Sequence, residues 1–156
     1  MNVEPYQEQI LHQYQLQEAL LSKLYSVFAL QFPEYGEFWE RLSLDEDKHA
    51  RLIEKLSQAA AKGLVLFDEG KIKIFALDTF IKRLEMLIAK AEKGEIQAQS
   101  AFTFAADYET SLIEKNVFTR FEALTEKSKS VLNLLNSETL EHIERVKNMQ
   151  RVAERK

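Results

Sequence analysis

Gly36, Gly63, Gly70, Gly94, Pro5 and Pro33 are the only glycines and prolines in this chain of 156 residues. The intervals between them are long and carry apolar residues three and four apart. A chain so sparsely punctuated folds as a few long helices joined by short turns. The first helix is expected over about 5–31, with an apolar stripe of Leu11, Tyr14, Leu21, Tyr25, Phe28 and Phe32. FPEYGE (32–37) then holds both Pro33 and Gly36, a tight connection that makes the next helix an antiparallel neighbour.

The second helix is expected over about 37–62, with Gly63 as its C-cap. LVLFDEGKIKIF (64–75) is rich in β-formers around an Asp-Glu-Gly turn and reads as extended or as a small hairpin. A short helix over about 78–92 follows, with Asp78 as N-cap and Gly94 as the break. Two further long helices are expected over about 95–122 and, after LTEKS, over about 127–154. The whole is a single all-α domain spanning 1–156: a four-helix bundle of two antiparallel hairpins, joined by a crossover, 63–94, that contains a short extra helix. A crossover of that length can travel the full height of a bundle.

The formal charge of −4 and the lack of any basic cluster argue against nucleic acid. With no cysteine, the chain has no disulfide, thiolate chemistry, iron–sulfur cluster or zinc ribbon. MNVEPYQEQ has neither a basic nor an apolar leader region, and no apolar run reaches membrane-spanning length. The expectation is a soluble, cytoplasmic protein with no membrane partner.

Ionisable groups interrupt the apolar phase on all four long helices. Glu18 falls on the line 11, 14, 18, 21, 25, 28 of the first. Glu46 and His49 fall on the line Trp39, Leu42, Glu46, His49, Ile53, Leu56 of the second. Glu109 follows Phe102 and Ala105 on the third, ahead of Leu112 and Asn116. On the fourth, Glu138 and His142 lie among Val131, Leu135, Val146 and Met149, with Glu141 at the edge. Buried glutamates are rare unless paired or bound to metal.

Height gives an independent check. Glu18 and Glu46 are equidistant from the FPEYGE turn, and Glu109 and Glu138 from the LTEKS turn, so within each hairpin the two face each other. Stacking the hairpins gathers four carboxylates and two imidazoles at one depth. Four neighbouring carboxylates withdrawn from water would each cost several kcal/mol and would repel one another. Two metal ions per chain relieve that cost. The mixed oxygen and nitrogen donors suit iron or manganese. Other polar residues read more plainly. His12, Asp107 and Glu114 lie off the core line and read as surface; Tyr14, Tyr25 and Tyr108 read as packing, with Tyr25 able to donate to a ligand carboxylate. Asp45 reads as a solvated helix face, or else as an acceptor that orients a ligand histidine.

These segments together resemble the rubrerythrin-like branch of the ferritin-like superfamily. EALLSKLYSVFALQFPE looks like that family's first ligand helix, with Glu18 seven residues before Tyr25. DEDKHARL matches its E-x-x-H at Glu46 and His49, Glu138-Thr139-Leu140-Glu141-His142 matches E-x-x-E-H, and AADYETSLIE supplies Glu109. The resemblance implies a ferritin-like bundle with a non-haem di-iron site reducing peroxide or oxygen. Glu18, Glu46, Glu109 and Glu138 would be carboxylate ligands and His49 and His142 terminal ligands. Glu141 would be an auxiliary ligand or catalytic proton relay. Two departures stand out. The second carboxylate that rubrerythrins carry on the third helix is missing, with Ala106 and Leu112 at that spacing, and without cysteine the electrons must come from a separate donor protein. A homodimer is expected, with FPEYGEFW or the crossover at the contact. The alternative functions are ferritin-like ferroxidase or iron handling, and a metal-binding bundle without turnover.

Overall fold

The computed structural model describes residues 5–67, 74–114 and 121–155. It is a helical bundle. Five helices, α1 (Pro5–Gln31), α2 (Gly36–Ala61), α3 (Ile74–Glu92), α4 (Ala98–Glu114) and α5 (Glu126–Glu154), are accompanied by two three-residue strands, β1 (Val65–Phe67) and β2 (Phe121–Ala123). Among the described residues no helix is long and apolar enough to cross a membrane.

The ends of the helices follow local chemistry. Gly63 (φ 75) and Gly94 (φ 72) take the left-handed conformation at the ends of α2 and α3. There the amides of Gly63 and Leu64 reach back to the carbonyls of Ala60 and Ala59, the cap that favours glycine. The α5 N-terminus is closed by Thr125, whose Oγ1 accepts from the Ser128 amide at 3.1 Å. Thr125→Ala should cost about 1 kcal/mol of stability, read as a lower urea midpoint with an unchanged slope.

Aromatic packing clamps one end of the bundle. Trp39 is fully buried and stacks on Phe102 at 5.1 Å, with Tyr25, Phe28 and Phe38 around it at 4.9–5.4 Å. The aromatic residues of FPEYGEFW therefore fold inward: Tyr35 meets Phe102 edge-on at 5.2 Å. They close the bundle onto α4.

Cross-helix contacts fix the directions of the helices. Ser22 and Ser43 each donate a hydroxyl to the other's carbonyl at 2.7 Å, a close approach of α1 and α2 that only small side chains allow. Asp45 meets His142 and His49 meets Glu138, so α2 and α5 are antiparallel. Glu109 meets His142 and Thr103 meets Gln150, so α4 and α5 are antiparallel as well. It follows that α2 and α4 run the same way. The chain regains the starting end through α3, which packs along α1 by its buried face of Leu77, Ile81, Leu84, Ile88 and Ala91.

Two boundaries differ from the sequence expectation. The α3 helix begins at Ile74, because Asp78 spends its side chain on the Gln13 amide of α1 rather than on a cap. Phe121–Ala123 is strand, where the third long helix was expected to run to about 122. Val65–Phe67 is extended as expected, but its partner is distant: Val65 pairs with Ala123 and Phe67 with Phe121, antiparallel. Within the 64–75 segment, residues 68–73 lie outside the described residues.

Candidate metal centre

Glu46 occupies the middle of the buried polar cluster. It is 1% exposed, as are His49 and Glu109, with Glu18 at 3% and His142 at 0%. Glu46 Oε2 lies 3.4 Å from His49 Nδ1 and its Oε1 lies 3.0 Å from His142 Nδ1. His142 Nδ1 is also 3.5 Å from Glu109 Oε1. The two imidazoles lie nearly parallel, 5.2 Å apart. Glu46, His49 and His142 each offer a ligand atom within 4.8 Å of the others, so this buried group can hold a metal ion.

The outer ring nitrogens are held in a reciprocal way. His49 Nε2, on α2, is 2.9 Å from Glu138 Oε2 on α5, and His142 Nε2, on α5, is 3.0 Å from Asp45 Oδ2 on α2. Lys48 bonds Glu138 at 3.0 Å and Arg145 bonds Asp45 at 2.9 Å. Each ring is thus fixed from outside, with Nδ1 facing the interior carboxylates. That is the arrangement that orients histidine toward a metal.

Electrostatics follow from burial and crowding. Burial, then Glu46 and Glu109, push the Glu18 carboxyl well above its ordinary value. Burial and Glu46 push Glu109 up to about 8. Burial also pushes on Glu46, but Glu18, His142 and His49 outweigh it and hold Glu46 well below the carboxylate range. Burial opposes the charged form of His142, yet Asp45, Glu109 and Glu46 raise it to about 11. The same balance, led by Glu46, raises His49. Without metal, the cluster is therefore held together by protons.

Protons do not satisfy it fully. Glu18 Oε2, both Glu46 oxygens and His142 Nδ1 are buried and make no well-aligned hydrogen bond among the described residues, although Glu46 lies within ion-pair distance of both imidazoles. Orphaned buried acceptors are costly. The ligand atoms of Glu46, His49 and His142, gathered in this buried spot, fit a divalent cation once the protons leave.

The remaining residues considered for the site lie further out. Glu138 is at the edge, its side chain 16% exposed, as the partner of His49 Nε2 and Lys48. Glu141 is 57% exposed and pairs with Arg145 at 3.3 Å, away from the central group. Tyr25 is buried and its hydroxyl donates to Glu109 Oε1 at 3.4 Å, while His12 and Asp107 are exposed. Asn116 and the side chain of Glu114 lie outside the described residues. Sequence reading undervalued Asp45: it stands four residues before His49, as Glu138 does before His142, and that shared interval was the available signal.

If Asp45 and Glu138 orient the imidazoles, Asp45→Asn and Glu138→Gln should each weaken metal binding by roughly 10- to 100-fold. The expected change is in affinity at unchanged helical content, measured by titration with manganese(II).

No protein-family model, curated protein or solved structure matches this chain.

Proposed function

We propose that this protein is a rubrerythrin-like non-haem metal oxidoreductase with a ferritin-like bundle, reducing peroxide or oxygen at a dinuclear centre in its core. The observation that supports this most is the buried group of Glu46, His49 and His142, whose ligand atoms lie within 4.8 Å of one another. Glu18 and His49 would hold one ion and Glu109 and His142 the other, with Glu46 shared between them. Carboxylate and imidazole donors suit iron, with manganese and zinc as competitors. Iron would supply electrons and Lewis acidity for cleavage of the O–O bond.

The chain's own residues provide positioning and proton control. Asp45 and Glu138 keep both Nδ1 atoms turned inward. The Tyr25 hydroxyl, its pKa raised by burial and by Glu109, keeps its proton beside that carboxylate. Glu141, the proton relay that the resemblance implies, stands at the surface paired with Arg145. Peroxide reduction to two waters takes two electrons and two protons. With no cysteine in the chain, the electrons come from a separate donor protein.

The test is anaerobic reconstitution with ferrous iron followed by measurement of peroxide consumption. Consumption well above that of Glu46→Ala is expected. Metal binding with no such excess would overturn turnover and leave a metal-binding bundle, and assembly into a large cage would favour iron storage.

A further inference from the structure

A cavity of about 730 Å³ opens between α3 and α4, within the roughly 300–1,000 Å³ typical of small-molecule sites. The two helices pack on different neighbours, α3 on α1 and α4 on α5. Ser100 and Ser111 on α4 are too short to fill the space left between them. The walls are mainly apolar. Phe80 and Leu87 of α3 stand across from Phe104 and Tyr108 of α4, with the Phe80 and Tyr108 rings 4.9 Å apart. Glu18, Glu46, His49, Glu109 and His142 take no part in this lining.

Two charges of opposite sign share the same space. Arg83 of α3 and Asp107 of α4 both line the cavity and both are exposed. Among the described residues neither makes an ion pair, with the other or with a third group. No charged residue stands three or four places from either on its own helix, where a neutralising partner would be in reach. An apolar wall with one cation and one anion, not spent on each other, complements a ligand divided the same way.

We propose that this cavity binds a free α-amino acid with an apolar side chain. The Arg83 guanidinium, whose planar fork matches a carboxylate, takes the carboxylate. Asp107 takes the ammonium group, and Phe80, Leu87, Phe104 and Tyr108 receive the side chain. Only the free amino acid carries both charges beside one apolar group; within a peptide the amide bonds consume them. The site stands apart from the metal centre and does not depend on it.

Calorimetric titration of the intact protein with L-phenylalanine reads the site directly, in chelator so that the amino acid meets no metal ion. Saturable binding of one molecule per chain is expected. Arg83→Gln and Asp107→Asn should each weaken it about tenfold or more, the loss of a charged hydrogen bond. Both side chains are exposed, so both variants should fold. N-acetyl-L-phenylalanine, which lacks the ammonium charge, should bind about tenfold more weakly or worse and lose nothing further in Asp107→Asn. Ser100→Phe, which fills the cavity from α4, should abolish binding and so locate it. No saturation by millimolar L-phenylalanine or L-leucine would overturn the proposal. So would equal affinity for the N-acetyl compound, or unchanged binding in either charge variant or in Ser100→Phe. Each of these results leaves the metal centre untouched, since peroxide consumption and manganese(II) titration test that separately.

Discussion

Glu46→Gln is expected to abolish tight metal binding while leaving the helices folded. Glu46 is the residue whose two oxygens face both inward-turned imidazole nitrogens, at 3.4 and 3.0 Å. Glutamine keeps the shape but removes the charge and aims an amide where a cation would sit. A loss of at least about 1000-fold in affinity, about 4 kcal/mol, should follow. The metal-free form should change far less. Its two imidazoles lose an anionic neighbour, but Glu18 and Glu109 are freed of the repulsion that now raises them. Thermal unfolding separates the two effects. Ion at about 1000 times its dissociation constant stabilises a protein by about 4 kcal/mol, or roughly 10 °C in a domain of this size. That increment should vanish in Glu46→Gln. A variant that still gained it would show that the ion sits elsewhere.

The second large effect is one of pH. In the metal-free protein Glu109 keeps its proton up to about pH 8 and His142 up to about pH 11. The unfolded chain releases the same protons near its ordinary glutamate and histidine values, about 4.3 and 6.5. Across the interval between, the folded state binds more protons than the unfolded state, so stability falls as pH rises. Asp45 acts in the other direction. Held down to about 2 beside His142 and Arg145, it adds stability that is complete above its ordinary value and lost as pH falls toward 2. The metal-free form should therefore be most stable near pH 5, and its Tm should drop by about 10 °C between pH 5 and 9. Metal ions replace those protons, so the Tm increment on adding manganese(II) should grow over the same range. Calorimetry at pH 5, 7 and 9, with chelator and with ion, measures both. A chelated Tm that stayed level or rose from pH 5 to 9 would contradict this account of the cluster.

Much of the core was legible because helical phase is a strong signal over long uninterrupted segments. Glu18, Glu46, His49, Glu109 and His142 each interrupt an apolar line, and the structure buries all five. Glu138 misled for a physical reason. The line through Val131, Glu138 and Met149 is one residue off the buried face, which runs through Leu132, Leu135, Thr139, His142 and Val146. Thr139 looks like a surface residue in sequence, but folding its hydroxyl onto the Leu135 carbonyl lets it be buried.

What sequence could not supply was long-range. The Val65–Phe67 strand pairs with Phe121–Ala123, segments too far apart for any local pattern to join them. Asp78 looked like a helix cap because Gln13, its partner on α1, was not visible as a neighbour. The inward turn of the FPEYGEFW aromatics depends in the same way on Phe102 of α4 lying over Trp39. Each of these is a contact made only after the hairpins have docked.

The most direct test of the account is anomalous scattering at the iron and manganese edges on one crystal of metal-loaded protein. The account predicts density deep in the bundle, within bonding distance of Glu46 and at least one of His49 Nδ1 and His142 Nδ1. A core free of anomalous density, with ions only at exposed carboxylates such as Glu141, would contradict it.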